Sequence, residues 1–267
     1  MTFSLDNSGM STRALEIADR VEAFVRNTVA PYEKDPRRTS HGPSDDLAVE
    51  LKDEGNMYLL GKVGSPELKE RFLTPMVQGK MRSAFFMTEP AEDGGAGSDP
   101  SMMLTTCRMD GNHWVINGRK TYITGAEGAG LGIVMAKSDD GACMFMVDLP
   151  DPAIRIERVM DTIDSSMPGG HAVVTIDNLR VPATQMLGQS GEGFKYAQVR
   201  LSPARLTHCM RWLGSCIRAN EIASDYANRR NAFGKPLVDH EGVGFMLADN
   251  LIDLKQAELM VYGCADV

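Results

Sequence analysis

A chain of 267 residues, 43% of them hydrophobic, can bury the core of one large or two to three small domains, which excludes a disordered chain. Its 28 lysines and arginines against 36 aspartates and glutamates leave a net charge of -8, which argues against a reader of nucleic-acid phosphates. Five scattered cysteines (Cys107, Cys143, Cys209, Cys216, Cys264) without a C-x-x-C pair argue against a zinc site or a disulfide framework, and no apolar run reaches membrane-spanning length. The start, MTFSLDNSGMST, lacks a secretory leader, so a cytoplasmic protein with no membrane or metal partner is expected.

From Thr12 to Val29 the apolar residues Ile17, Val21, Phe24 and Val25 recur at helical spacing until Pro31 stops them. After the polar run PRRTSHGPSDD, Ser65 is placed to cap and Pro66 to open a helix with Leu68, Phe72 and Met76 on one face, and Gly79 to end it. Beyond residue 83 the period changes to two. Turn dipeptides at Asp110-Gly111, Asn117-Gly118 and Asp140-Gly141 separate the runs HWVI, KTYIT, LGIVMA and CMFMV, predicting a β-meander or small barrel. Ile154, Ile156, Val159 and HAVVTIDNLRVP continue it to Pro182. Helical spacing returns from Phe194, with Leu206, Met210, Leu213 and Ile217 on one face to about Arg230, then with Val243, Met246, Leu247, Leu251 and Leu254. The order helical, β, helical is an α+β pattern, divided as 1–83, 84–188 and 189–267, and it lacks the alternation of a doubly wound fold.

Common nucleotide and hydrolase signatures are missing, and the five histidines lie far apart, each expected in a structural or surface role. The stretch FFMTEPAEDGGAGSD (85–99) is different. Its glycines free backbone amides to point at an anionic or carbonyl oxygen, and Thr88 and Ser98 add hydroxyls on either side, a combination suited to a ring carbonyl and a phosphate. On these residues alone, a surface loop joining the helical and β segments remains an equal reading.

The same stretch resembles the flavin-binding signature of the acyl-CoA dehydrogenase family. NGRKTYITG (117–125) resembles that family's second flavin segment, LRVP (179–182) with GEGF (191–194) its junction from β-domain to helix, and RNAFGKPL (230–237) its Arg-x-x-Phe-Gly-Lys motif, in the family's order. PGGHAVVTIDNLRVPA and RLSPARLTHCMRWLG are most similar to the branch of acyl-CoA dehydrogenases ten and eleven. The resemblance implies an N-terminal helical part, a central β-barrel-like domain and an incomplete C-terminal helical bundle. It also implies FAD as cofactor, an acyl-CoA substrate, an electron acceptor such as an electron-transfer flavoprotein, and a homodimer or homotetramer.

By that resemblance, the Met87 backbone and the Thr88 hydroxyl face the flavin pyrimidine, Ser98 lies near the pyrophosphate, and Tyr122 and Thr124 pack and hydrogen-bond at the N5 edge. Arg230 reaches the pyrophosphate of a neighbouring subunit's FAD with Phe233 beside the adenosine, and Arg205 lies near the substrate thioester. Departures from the family pattern carry expectations of their own. AEDG at 91–94 is an insertion expected to push the turn outward and to bring two carboxylates near a diphosphate. LAVELKD runs into EGNMYLLGKVGS where relatives have several helices, and the family's usual base would lie beyond Val267. The alternative glutamate position of some relatives is Ala204 here, so no catalytic base is assigned, and Glu89 is expected to be structural. The implied function is flavin-dependent α,β-dehydrogenation of an acyl-CoA thioester, and the alternative is a non-catalytic flavin-binding or assembly subunit.

Overall fold

The structure is a computed structural model that describes residues 54–95, 99–162 and 169–265, with a few separate positions between 12 and 43. The stripe Ile17, Val21, Phe24 and Val25, and Ser98, lie outside the described residues. The chain divides into two compact units, one within Glu16–Leu201 and one that includes Ser202–Val267.

The first unit opens with α1 (Glu54–Val63) and a second helical run, α2, built from Pro66–Leu68, a wider π turn at Lys69–Leu73, and Thr74–Val77. Ser65 caps α2, its hydroxyl accepting from the Leu68 N–H at 3.3 Å, and Pro66 occupies the first turn, where a missing N–H costs nothing. Leu68, Phe72 and Met76 are buried together, as their spacing requires, and Gly79 follows with φ 73°.

Seven strands follow: β1 (Ser83–Phe86), β2 (Thr106–Asp110), β3 (His113–Thr124), β4 (Leu131–Ser138), β5 (Gly141–Asp148), β6 (Ile154–Met160) and β7 (His171–Pro182). They form one curled half-barrel sheet. The pairing path β1-β4-β2-β3-β7-β6, with β5 antiparallel along the opposite edge of β4, corrects the meander expectation, because β4 pairs in parallel with both β1 and β2. β1 runs parallel to β4 from Ser83↔Leu131 to Phe86↔Val134, and β2 meets the same strand at Thr106↔Lys137. The glycine-rich stretch therefore leaves and re-enters the sheet along one seam of β4.

Central strands explain the unbroken apolar runs in the sequence. In β4, Val134 and Ala136 join Phe145, Trp114 and Ile116 in one core cluster, while Leu131, Ile133 and Met135, on the other face, cluster with Leu59, Leu60 and Phe72. A strand buried on both faces cannot alternate apolar with polar residues. Asn117-Gly118, expected as a turn, lies inside the twelve-residue β3 at a register irregularity between Ile116 and Gly118. A Cβ at Gly118 would sit 2.7 Å from the Thr105 Cα, so the glycine there admits a close backbone approach rather than a reversal.

In the second unit, the C-terminal part of α3 (Gly193–Arg229) leads to a tight hairpin of β8 (Asn231–Ala232) and β9 (Lys235–Pro236), then to α4 (Glu241–Ala265). The hairpin turn is Phe233-Gly234, with φ 50° and 83°. Both central residues of a mirror-type two-residue turn need positive φ, a conformation a phenylalanine adopts only with strain. Among the described residues, no helix is long and apolar enough to cross a membrane.

Candidate functional site

The stretch after β1 is tied down at both ends by one buried carboxylate. Glu89 Oε2 accepts from the Leu104 N–H at 2.6 Å, and its Oε1 accepts from the Thr105 N–H at 2.9 Å and from Lys120 Nζ at 2.9 Å. Lys120 Nζ also donates to the Met87 carbonyl at 3.1 Å, and the Thr121 N–H donates to the Thr88 carbonyl at 2.9 Å. The Lys120 and Glu89 side chains are 0% and 2% exposed. Burial works against the Glu89 carboxylate, yet Lys120 and the Thr105 and Leu104 donors outweigh it and hold its pKa below the ordinary carboxylate value. Burial likewise pulls Lys120 down to about 8 against the attraction of Glu89. A buried pair with its hydrogen bonds satisfied rigidifies what it touches, here the exit of β1, the return into β2, and β3.

Two residues beyond Lys120, Tyr122 has φ 55° and is 63% exposed. A register irregularity between Lys120 and Ile123 accounts for it, because a bulge resets the alternation of faces and turns Tyr122 outward while Lys120 points in. An exposed aromatic in the left-handed region is a strained arrangement of the kind that collects at binding sites. Met87 and Thr88 sit half-buried beside it, and the Thr88 hydroxyl and Tyr122 phenol make no hydrogen bond among the described residues. Thr124 ends β3 with its hydroxyl 2.9 Å from His171 Nδ1 on β7.

The inserted AEDG is not pushed outward without support. Ala91–Asp93 forms a short 3-10 turn closed by Gly94 at φ 75°, and Asp93 accepts from Arg119 Nη1 at 2.7 Å. Arg119 also grips Glu157 through Nε and Nη2, each at 2.8 Å. Those hydrogen bonds, with one from the Thr175 hydroxyl, lower the Glu157 pKa to about 2. Asp93 thus arrives with its countercharge. Close by in sequence, a cavity of about 310 Å³ is lined by Ser101, Met103, Lys137, Gly141, Ala142 and Phe194.

Of the residues singled out from sequence, Met87, Thr88, Tyr122 and Thr124 fall along the joint between β1 and β3. Arg205 is exposed on α3. Phe233 is 96% exposed at the hairpin tip, edge-on to His240 at 6.1 Å, and Arg230 makes no side-chain hydrogen bond or ion pair among the described residues. Sequence reasoning missed Lys120, Arg119 and His171. The resemblance of NGRKTYITG was the signal that could have drawn attention to the first two.

The middle-domain model of acyl-CoA dehydrogenases matches residues 84–173, and the C-terminal-domain model of the same family matches 191–267. A protein of Mycobacterium tuberculosis named as a probable acyl-CoA dehydrogenase, FadE2, is 38% identical over 78% of this chain and 52% of its own length. Acyl-CoA dehydrogenase family member 11 of Gallus gallus is 36% identical over 78% of this chain and 28% of its own length. The chain thus spans about half or less of these curated relatives. A solved structure assigned as an acyl-CoA dehydrogenase from Mycobacterium abscessus superposes with a TM-score of 0.84 at 30% identity, over 98% of this chain and 80% of that one.

Proposed function

This chain belongs to the acyl-CoA dehydrogenase family, and from that premise we propose that it holds FAD at the β1–β3 joint and acts in the α,β-dehydrogenation of an acyl-CoA thioester. The observation that carries the reading is the strained, exposed Tyr122 beside the clamped Met87-Thr88 backbone. The residues fit a flavin: an aromatic face, unengaged hydroxyls on Thr88 and Tyr122, and exposed Met102 and Leu104 near the same stretch. FAD, when bound, supplies the acceptor for the electrons withdrawn from the acyl chain.

The chain's own residues position and shield. Met87 and Thr88 orient the pyrimidine end of the ring, Tyr122 forms a wall that excludes water from one side, and Thr124 offers its hydroxyl at the N5 edge. Ser98 serves the pyrophosphate. Glu89 and Lys120 keep the first two in place, and Glu89 cannot serve as base, because both its oxygens are engaged in the interior. The cavity lined by Lys137 and Ser101 takes part of the acyl-CoA, and Arg205 meets the thioester end. Arg230 and Phe233, whose side chains stand without polar partners or cover among the described residues, reach the FAD of a second copy in a homodimer or homotetramer. The electron acceptor is a protein of the electron-transfer flavoprotein kind, and the setting is cytoplasmic fatty-acid metabolism.

Anaerobic mixing of the FAD-loaded chain with a panel of acyl-CoAs tests this. Bleaching of the flavin band supports dehydrogenation. Acyl-CoA binding with the flavin left oxidised favours the non-catalytic flavin-binding or assembly subunit. Failure to bind acyl-CoA at all overturns the substrate assignment.

A further inference from the structure

The β3–β7 ladder ends on the pair Thr124↔His171, and the chain reaches that pair through an unusual approach. Gly169 and Gly170 both have positive φ, at 74° and 54°. A Cβ on Gly169 would collide with the Glu127 carbonyl oxygen, and one on Gly170 would lie 2.5 Å from Val159 Cγ1. The Gly170 carbonyl in turn accepts from the Gly125 N–H at 2.9 Å, locking the end of β3 to the start of β7. Two glycines where no other residue fits thus deliver His171 to a half-buried position with Nδ1 2.9 Å from Thr124 Oγ1.

A threonine hydroxyl has one proton and two lone pairs, and a neutral imidazole has one protonated and one bare nitrogen. If Nδ1 is bare, the Thr124 proton is spent on His171 and the hydroxyl can only accept from a ligand. If Nδ1 carries the proton, it donates to Thr124 and frees the threonine proton for a ligand acceptor.

Resting on the reading that FAD binds beside Thr124, we propose that His171 is a positioning residue which donates from Nδ1 to the Thr124 hydroxyl and so fixes Thr124 as a hydrogen-bond donor toward the oxidised flavin ring. His171 need not touch the cofactor. It acts through Thr124, which is the group that meets N5.

Asparagine places an amide donor close to where histidine has Nδ1, whereas glutamine places it near Nε2, so the two amides separate this role from mere bulk. FAD titrations of the full chain, with the flavin absorption band and melting temperature recorded for each variant, read it out. His171→Gln is expected to weaken FAD by about threefold to tenfold, the range of one lost hydrogen bond, and to shift the band. Thr124→Val should do the same, the double variant should be no worse than Thr124→Val, and His171→Asn should keep the parental affinity and band. Parental behaviour of His171→Gln, or additive losses in the double variant, would overturn the proposal. Should His171→Gln not fold, His171→Asn decides: it supports the proposal if it differs from Thr124→Val and overturns it if the two behave alike. A folded parent chain that takes up no FAD fails the cofactor reading itself, and this proposal with it; FAD uptake unaffected by His171 fails this proposal alone.

Discussion

Two short glycine-bearing segments carry the expected cofactor contacts, and they are built in opposite ways. The stretch leaving β1 is held by a buried ion pair, four hydrogen bonds to backbone groups and a side-chain clamp on the inserted turn. Among the described residues, the Phe233-Gly234 hairpin is tied only to its own neighbours in the chain, with His240 Nε2 3.0 Å from the Ala232 carbonyl and the Leu237 N–H donating to the Arg230 carbonyl at 2.8 Å, while its tip leaves Phe233 96% exposed and keeps a strained φ at a bulky residue. Segments that are complete within the chain hold themselves; a bare, strained aromatic tip makes physical sense when something else covers it.

Substituting Lys120 should break the first arrangement hardest. Lys120→Ala leaves a buried carboxylate without its cation and is expected to cost about 3–5 kcal/mol, read by urea denaturation. A loss near that of a surface substitution would mean that the stretch is not held by the pair. The hairpin should respond the other way. Phe233→Ala and Arg230→Ala are expected to change stability by no more than about 0.5 kcal/mol while lowering FAD affinity by about tenfold. Sedimentation and flavin titration at several protein concentrations check this, and an unchanged affinity would remove Arg230 and Phe233 from the cofactor.

How far the sequence reveals this contrast depends on the range of the interactions. Helix faces such as Leu68, Phe72 and Met76 repeat locally, so their burial is legible from spacing. The parallel pairing of β4 with both β1 and β2 has no local signature, because parallel partners are chosen by long-range packing. Lys120 sits in an alternating run and reads as solvent-facing; only the bulge before Ile123 separates its face from that of Tyr122. His171 lies 47 positions from Thr124, and nothing short of the fold joins them. The motifs resembling the flavin signature singled out Met87, Thr88 and Tyr122 as expected contacts, while the resemblance assigned no role to the residues that hold them in place.

Acid should probe the tied segment more gently. Glu157 and Glu89 both have folded-state pKa values below their unfolded ones, Glu157 at about 2. Their contribution is therefore fully present above about pH 4.5 and is lost as pH falls toward 2. Melting temperature against pH should drop across that window in the parent and less steeply in Glu157→Gln; parallel curves would contradict the pairing with Arg119. Smallest of all, Asp93→Ala removes a partly exposed ion pair and should cost about 0.2–1 kcal/mol, with faster proteolysis between residues 88 and 104 as the visible consequence.

FAD titration of the folded chain beside Tyr122→Ala and Thr88→Val tests the central claim most directly, with flavin fluorescence as the signal. The account predicts saturable binding by the parent, weakened in both variants at unchanged melting temperature. Equal binding by all three, or none by a folded parent, would contradict a flavin site at the β1–β3 joint.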